Sequence, residues 1–383
     1  MDMQPRVSKM KDREKNDEKL ILDGSKILWH QDRLEKWKKG ERVAPITIDM
    51  ALTRACNYRC EYCFGQLQDN PRKKITFEVM KNFLDDCAEM GVKAISLVSD
   101  GESTMNPCYV DVIIYGNSKG IDMAMGTNGF LLKKDVLEKI LSSMTYLRFN
   151  ITAGEPKRYA KIHGTTEEAF YQVCQNIKDA IEIKKRDNLA CTIGMQMVLT
   201  PNYDDQIIPL AKLGKELRPD YLVIKHCSDD EEGSLGINYG DYKKMYETLK
   251  EAETYSDDEY LVKVKWSKIE AEGKRDYESC YGPPLHLQIS GSGLVAPCGG
   301  FFNEKYKKYH IGNFVETRFK DIIFSDRYWD VMAYLTSDHF NAKTLCACLC
   351  LQHMTNEILD KYKKGLTYLK KPEGTPPQHI NFI

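Results

Sequence analysis

Three cysteines fall in one short stretch, Arg54-Ala-Cys-Asn-Tyr-Arg-Cys-Glu-Tyr-Cys-Phe64, with three residues between Cys56 and Cys60 and two between Cys60 and Cys63. Thiolates so spaced are metal ligands. Three of them can hold only three irons of a four-iron cluster, which leaves the fourth iron open to a small chelating ligand. A closed four-cysteine site transfers electrons, whereas an open one can also do chemistry. On spacing alone a zinc knuckle or a redox pair of cysteines fits as well. Tyr62 and Phe64 flank the last cysteine.

A second group lies far downstream. Cys280 and Cys298 bracket Leu285–Cys298, which alternates apolar and polar residues around a turn at Ser290–Gly293 and reads as a hairpin. A hairpin brings residues near its two ends together. Cys346-Ala-Cys-Leu-Cys350 supplies three more thiols, Cys346, Cys348 and Cys350, so the five can close one four-thiolate site with one to spare. A zinc ribbon would use the same spacing. Of the other cysteines, Cys87, Cys108, Cys174 and Cys191 have no ligand-like spacing and read as ordinary buried small residues. Cys227 differs. In Lys225-His-Cys-Ser-Asp-Asp-Glu it follows a strand and is expected at the mouth of the fold, as a hydrogen-atom donor, a cluster ligand or a buried thiol. His226, Asp229, Asp230, Glu231 and Glu232 in the same loop are polar enough to contact a hydroxylated or amino-bearing substrate; for Glu231 and Glu232 a solvated acidic turn is the simpler reading.

The elements that must position these residues follow a repeating order. Strand patterns at 45–52, 93–98, 122–125, 146–151, 192–199 and 221–225 each precede a helical pattern. Six β-then-α units imply parallel strands with right-handed crossovers, curled into a partial (β/α)6 TIM-like barrel whose ligands gather at the strand C-termini. The cysteine loop, Ser99–Ser103, Gly126–Gly129 and the Cys227 loop all fall at that rim. The α/β barrel is expected over 45–228, after a charged and partly helical lead at 1–44. A linker region with a charged helix spans 229–265, a small α+β iron–sulfur domain 266–371, and an irregular tail 372–383.

The chain has 383 residues, enough for two domains, with 29% charged residues and a net charge of −1. That balance gives no nucleic-acid footprint. There is no apolar run of membrane length and no signal-peptide pattern, so a cytoplasmic protein with no membrane partner is predicted. Of the thirteen cysteines, the eight that fall in the two groups fit metal ligation better than disulfides.

Cys-Asn-Tyr-Arg-Cys-Glu-Tyr-Cys-Phe resembles the signature of the radical SAM superfamily. The resemblance implies a [4Fe-4S] cluster held by Cys56, Cys60 and Cys63, with the open iron chelated by the amino and carboxylate groups of S-adenosylmethionine (SAM). An electron from the cluster, fed by a donor such as flavodoxin or ferredoxin, cleaves the sulfonium. The 5′-deoxyadenosyl radical so released takes a hydrogen atom from an unactivated C–H bond. Asp100-Gly-Glu102 resembles the family's Gly-Gly-Glu element, with Asp100 replacing a glycine; Gly101 and Glu102 would hold the SAM amine. By the same resemblance Asn150 and Thr152 would meet the ribose, Thr127 and Asn128 the ribose or substrate, and Gln196 and Met197 the adenine, while Tyr62 joins the cofactor pocket. The downstream half resembles the SPASM or twitch extension through Cys280–Gly293–Cys298. The compact Cys346/Cys348/Cys350 group replaces the wider pattern of full SPASM domains, which implies one auxiliary [4Fe-4S] cluster held by Cys280, Cys298 and two of those three.

An enzyme of this kind oxidises or epimerises its substrate. A small polyhydroxylated molecule (a sugar, nucleotide sugar or aminocyclitol) is the expectation, because the N-terminal segment is too short for the usual leader-peptide-binding domain. The alternatives are modification of a ribosomally made peptide and an iron–sulfur maturase serving another enzyme.

Overall fold

Ten strands form one sheet in the computed structural model, which describes residues 20–346 and 350–383. Cys348 and the first nineteen residues of the charged lead lie outside the described residues. The strands are β1 (Thr47–Met50), β2 (Ala94–Leu97), β3 (Asp122–Thr127), β4 (Tyr146–Asn150), β5 (Thr192–Leu199), β6 (Tyr221–His226), β7 (Leu261–Val264), β8 (His286–Ile289), β9 (Leu294–Ala296) and β10 (Gly312–Asn313). Their order across the sheet is β10-β9-β8-β1-β2-β3-β4-β5-β6-β7. From β1 to β7 every neighbouring pair is parallel, and helices follow each of the first six strands, which is the expected partial (β/α)6 barrel.

The sheet extends beyond those six strands at both edges. Residues 229–265, expected as a linker with a strand-like end, contribute β7, which pairs with β6 in register Tyr221↔Leu261 to Ile224↔Val264. At the other edge the expected hairpin joins the same sheet: β8 runs parallel to β1, Thr47↔His286 to Met50↔Ile289, and β9 returns antiparallel. The downstream cysteines are thus carried on a continuation of the barrel wall.

Period-two alternation divides each strand between two environments. Ile48, Met50, Ile95, Leu97, Met123, Met125, Leu147, Phe149, Met195, Met197, Leu222 and Ile224 face the surrounding helices and are fully buried in one apolar core. The opposite faces carry Thr47, Asp49, Ser96, Tyr146, Arg148, Gln196, Lys225 and His286. A packed barrel fills its interior with branched apolar side chains; here the interior is polar. The helix Phe77–Met90 shows how local signals set the boundaries. The Thr76 side chain caps its first turn by accepting from the Val79 N–H at 3.4 Å, and Gly91 ends it in the left-handed region at φ 77°. Helix in the lead forms two pieces, Ser25–Trp29 and Gln31–Lys38, separated at His30.

The tail at 372–383 is irregular, as expected, and it has a packing role. The Thr47 hydroxyl donates to the Asn381 carbonyl at 2.6 Å, Asn381 donates to Asp122 at 2.7 Å, and the Tyr146 ring meets those of His379 and Phe382. Lys26 donates to the carbonyls of His379 and Phe382. Thr47, Asp122 and Tyr146 are first residues of their strands, so the tail and the 25–30 segment close the N-terminal end of the barrel.

Candidate active site

The cysteine loop leaves β1 and is fastened at several points. The N–H groups of Arg59 and Glu61 donate to the carbonyls of His163 and Ile162, at 3.1 and 2.9 Å, at the end of the helix Pro156–His163. Gly164 ends that helix at φ 57°, and a Cβ there would lie 2.5 Å from the Arg59 carbonyl oxygen, so only glycine lets the loop dock. On the other side the Glu102 N–H donates to the Ala55 carbonyl at 2.9 Å. A Cβ on Gly101 would meet the Thr53 carbonyl oxygen at 1.9 Å, which explains the glycine in Asp100-Gly-Glu102.

Asp100 ties the barrel to the hairpin. Its carboxylate accepts from the Ser290 hydroxyl at 2.6 Å and the Gly291 N–H at 2.7 Å, and faces Arg54 Nε at 3.3 Å. The aspartate that stands in place of the family's glycine therefore locks the β2 loop to the β8–β9 turn.

Glu102 is buried, and its carboxylate accepts from the Thr104 hydroxyl and N–H, the Thr127 hydroxyl at 2.8 Å and the Asn128 N–H at 2.8 Å. Burial outweighs these bonds and raises its pKa; burial first, and then the Glu102 charge, raises Cys56 as well. Asn128 donates to Asn57, a residue that carried no signal in the sequence, at 2.7 Å. Gln196 donates to Asn150 at 3.1 Å, and the Val198 N–H donates to the Thr152 hydroxyl at 3.3 Å. Glu102, Thr127, Asn128, Asn150 and Thr152 thus stand at or just past the ends of β2, β3 and β4, and Gln196 lies beside Asn150 within β5. Met197 does not join them. It faces the helices in the apolar core, because it has the opposite parity to Gln196. The Tyr62 ring packs edge-on against His163 and Tyr203.

His163 was also without a sequence signal, although Pro156 at the start and Gly164 at the end mark its helix. The Thr152 N–H donates to its Nε2 at 3.0 Å, and burial pushes its pKa down to about 3. The ring is therefore neutral with its proton on Nδ1, and that N–H donates to Cys60 Sγ, 3.2 Å away.

The second cysteine group assembles as expected: Cys280, Cys298, Cys346 and Cys350 line one cavity wall. Burial and then the neighbouring thiols raise Cys280 and Cys298, and burial raises Cys346 to about 12. Arg275, which carried no signal in the sequence, lies beside them, and its charge lowers both Cys298 and Cys346 against the larger effect of burial. Metal loading at either group must displace thiol protons. Among the described residues no three His, Cys, Asp or Glu side chains converge tightly enough to hold a single ion. A four-iron cluster makes no such demand, since each thiolate binds its own iron, and both donor sets fit one. No disulfide joins the described cysteines, and Cys87, Cys108, Cys174 and Cys191 are buried, as expected.

In the loop after β6, Cys227 takes the third of the places open to it, that of a buried thiol. Cys227 is buried, and its thiol donates toward the carbonyls of Tyr62 at 3.7 Å and Ser228 at 3.6 Å; it is absent from the cavity wall that Lys225 and Ser228 line. His226 packs against Tyr239 and Tyr242 outside the barrel, and burial pushes its pKa to about 3. The Asp229 carboxylate is taken up by the N–H groups of Asp230, Leu235 and Ile237, Asp230 bonds Ser234, and Glu231 and Glu232 pair with Lys305. The acidic residues fold the loop onto itself, which leaves them little capacity to contact a substrate.

A cavity of about 400 Å³ is lined by Phe64, Gly65 and Asp100, next to the first cysteine group, and by Cys280, Cys298, Cys346 and Cys350 of the second. Among the described residues no helix is long and apolar enough to cross a membrane.

Residues 50–213 match the family model described as the Radical SAM superfamily, and residues 280–350 match that of an iron-sulfur cluster-binding domain, SPASM. The AdoMet-dependent heme synthase of Methanosarcina barkeri is 34% identical over 73% of this chain and 82% of its own length. The tungsten-containing aldehyde ferredoxin oxidoreductase cofactor-modifying protein of Pyrococcus furiosus is 22% identical over 73% and 81%. The crystal structure of Streptococcus suis SuiB bound to S-adenosylmethionine shares the fold, with a TM-score of 0.61 at 18% identity over 79% of this chain and 72% of that one. The chain therefore belongs to the radical SAM superfamily, as an enzyme that uses a [4Fe-4S] cluster with SAM and carries a SPASM-type auxiliary iron–sulfur domain.

Proposed function

We propose that this enzyme oxidises a small molecule held in the cavity between the two cysteine groups. The observation that carries the reading is that one cavity is lined by the second cysteine group and by Phe64 and Gly65, which directly follow Cys63, so a single bound substrate can lie between the two groups. SAM and the clusters, when bound, supply hydrogen-atom abstraction at one end and single-electron transfer at the other. The substrate gives up a hydrogen atom, then a proton to a polar group of the wall and an electron at the Cys280/Cys298 end. Epimerisation would need a hydrogen-atom donor in the chamber, and the buried Cys227 thiol stands off the cavity wall.

Cys56, Cys60 and Cys63 are the proposed ligands of the first cluster, and Cys280, Cys298, Cys346 and Cys350 those of the second. Glu102, oriented by Thr104, Thr127 and Asn128, receives the SAM amine. Asn150 and Thr152 take the ribose hydroxyls, and Gln196 borders the substrate. Both curated relatives are named for making or modifying a cofactor, which favours a small molecule over a peptide, as does a cavity of about 400 Å³.

The test uses reconstituted enzyme, SAM, dithionite and a panel of deuterated small molecules. Deuterium is expected in 5′-deoxyadenosine with wild-type enzyme, together with an oxidised product. Cys280→Ala/Cys298→Ala is expected to keep the deuterium transfer and lose the oxidised product. Unchanged product from that variant contradicts the proposed role of the second cysteine group.

A further inference from the structure

The barrel interior carries more positive charge than its own acids neutralise. Six basic side chains line the cavity (Lys26, Arg148, Lys225, Lys265, Lys268 and Arg275) against three acids, Asp49, Asp100 and Asp229. Each acid is already engaged. Asp49 Oδ2 lies 2.8 Å from His286 Nε2, Asp100 holds the hairpin turn and Arg54, and Asp229 accepts backbone N–H groups of its own loop. Three of the cations are engaged as well. Lys26 donates to the tail carbonyls, Lys268 to the Cys350 carbonyl at 2.7 Å, and Arg275 lies beside the cysteines.

Arg148, Lys225 and Lys265 remain. They project from β4, from β6 and from the residue after β7, neighbouring parts of one wall. Arg148 Nε is buried without a hydrogen-bond partner, and its guanidinium lies 6.0 Å from the Tyr146 ring centre. Neither lysine makes a side-chain hydrogen bond or ion pair with any described residue. Burial, and then the Arg148 and Lys268 charges, push Lys225 down to about 7; burial with its cationic neighbours pushes Lys265 down as well. Basic groups gathered in a buried chamber either shed protons or take up a counter-charge, and a bound anion supplies the counter-charge. Arginine and lysine together suit carboxylate or phosphate oxygens.

We propose that the substrate carries at least two anionic groups, carboxylate or phosphate, bound by Arg148, Lys225 and Lys265. This rests on the reading of the cavity as the substrate chamber, and among the polyhydroxylated substrates expected it favours a polyanion, such as a nucleotide sugar, over a neutral sugar or an aminocyclitol. The reacting carbon then lies on the far side of the molecule, toward Phe64 and Gly65.

Calorimetric titration of the anaerobically reconstituted holoenzyme tests it, with pyrophosphate, citrate and myo-inositol as probes. Pyrophosphate or citrate is expected to bind and myo-inositol not; which of the two binds separates phosphate from carboxylate recognition. In Lys225→Met and, separately, Lys265→Met the affinity is expected to fall at least tenfold, with the iron content unchanged. Using two variants from different strands guards against the failure of one to fold. Removing a buried charge leaves the Lys225→Met apoprotein at least as stable as wild type, which a structural lysine would not allow. The proposal is overturned if neither anion binds, if myo-inositol binds as tightly, or if both variants keep wild-type affinity. The titration needs no turnover, so its failure leaves the deuterium experiment standing, and the reverse also holds.

Discussion

At the scale of single residues, the sulfur atoms do not act alone. The Thr152 N–H fixes the His163 tautomer, and the tautomer aims an N–H at Cys60. Such a bond strengthens as negative charge builds on the sulfur, so it stabilises a reduced cluster more than an oxidised one and raises the potential. His163→Phe removes the donor. If the bond is worth about 1.4 kcal/mol more in the reduced state, the midpoint potential of the first cluster falls by about 59 mV for one electron. His163→Gln, which keeps a donor of similar reach, restores most of the shift. A redox titration followed by electron paramagnetic resonance reads both, and an unchanged potential in His163→Phe removes His163 from the account. The three cysteines were legible from spacing alone. His163 was not, since a lone histidine on a helix carries no pattern; the bond depends on where the strand end of β4 brings Thr152.

At the scale of elements, the cysteine loop is held by what it docks against. Gly164→Ala places a methyl group against the Arg59 carbonyl at a left-handed position, costing about 1–2 kcal/mol for the backbone alone. The expected result is loss of iron from the first site with the second intact, measured as iron per chain and by the separate spectra of the two clusters. Full loading of both would show that the docking does not order the loop. The strands and the helices after them were readable because alternation and helical periodicity are strong over six units. The parallel pairing of β8 with β1 was not, because register between segments more than two hundred residues apart leaves no local mark. Asp100 looked like a departure from the family's glycine. Only the hairpin turn, with Ser290 and Gly291 seated on its carboxylate, explains it.

At the scale of the whole molecule, the sheet does two jobs with its two faces. The outer faces of its strands join the helices in one continuous apolar core, and the inner faces line a polar chamber bordered by the tail, by Phe64 and Gly65 of the cysteine loop and by the second group of thiols. The interior parity of Asp49, Arg148, Lys225 and His286 was present in the sequence, but their shared chamber required the barrel's curvature. The claim that holds the account together is that one chain carries two iron–sulfur clusters, one at each cysteine group. Iron per chain after anaerobic reconstitution tests it most directly. The account predicts about eight irons in wild-type protein, and about four in either Cys56→Ala/Cys60→Ala/Cys63→Ala or Cys280→Ala/Cys298→Ala. About four irons in the wild type, or no loss in the second variant, would contradict it.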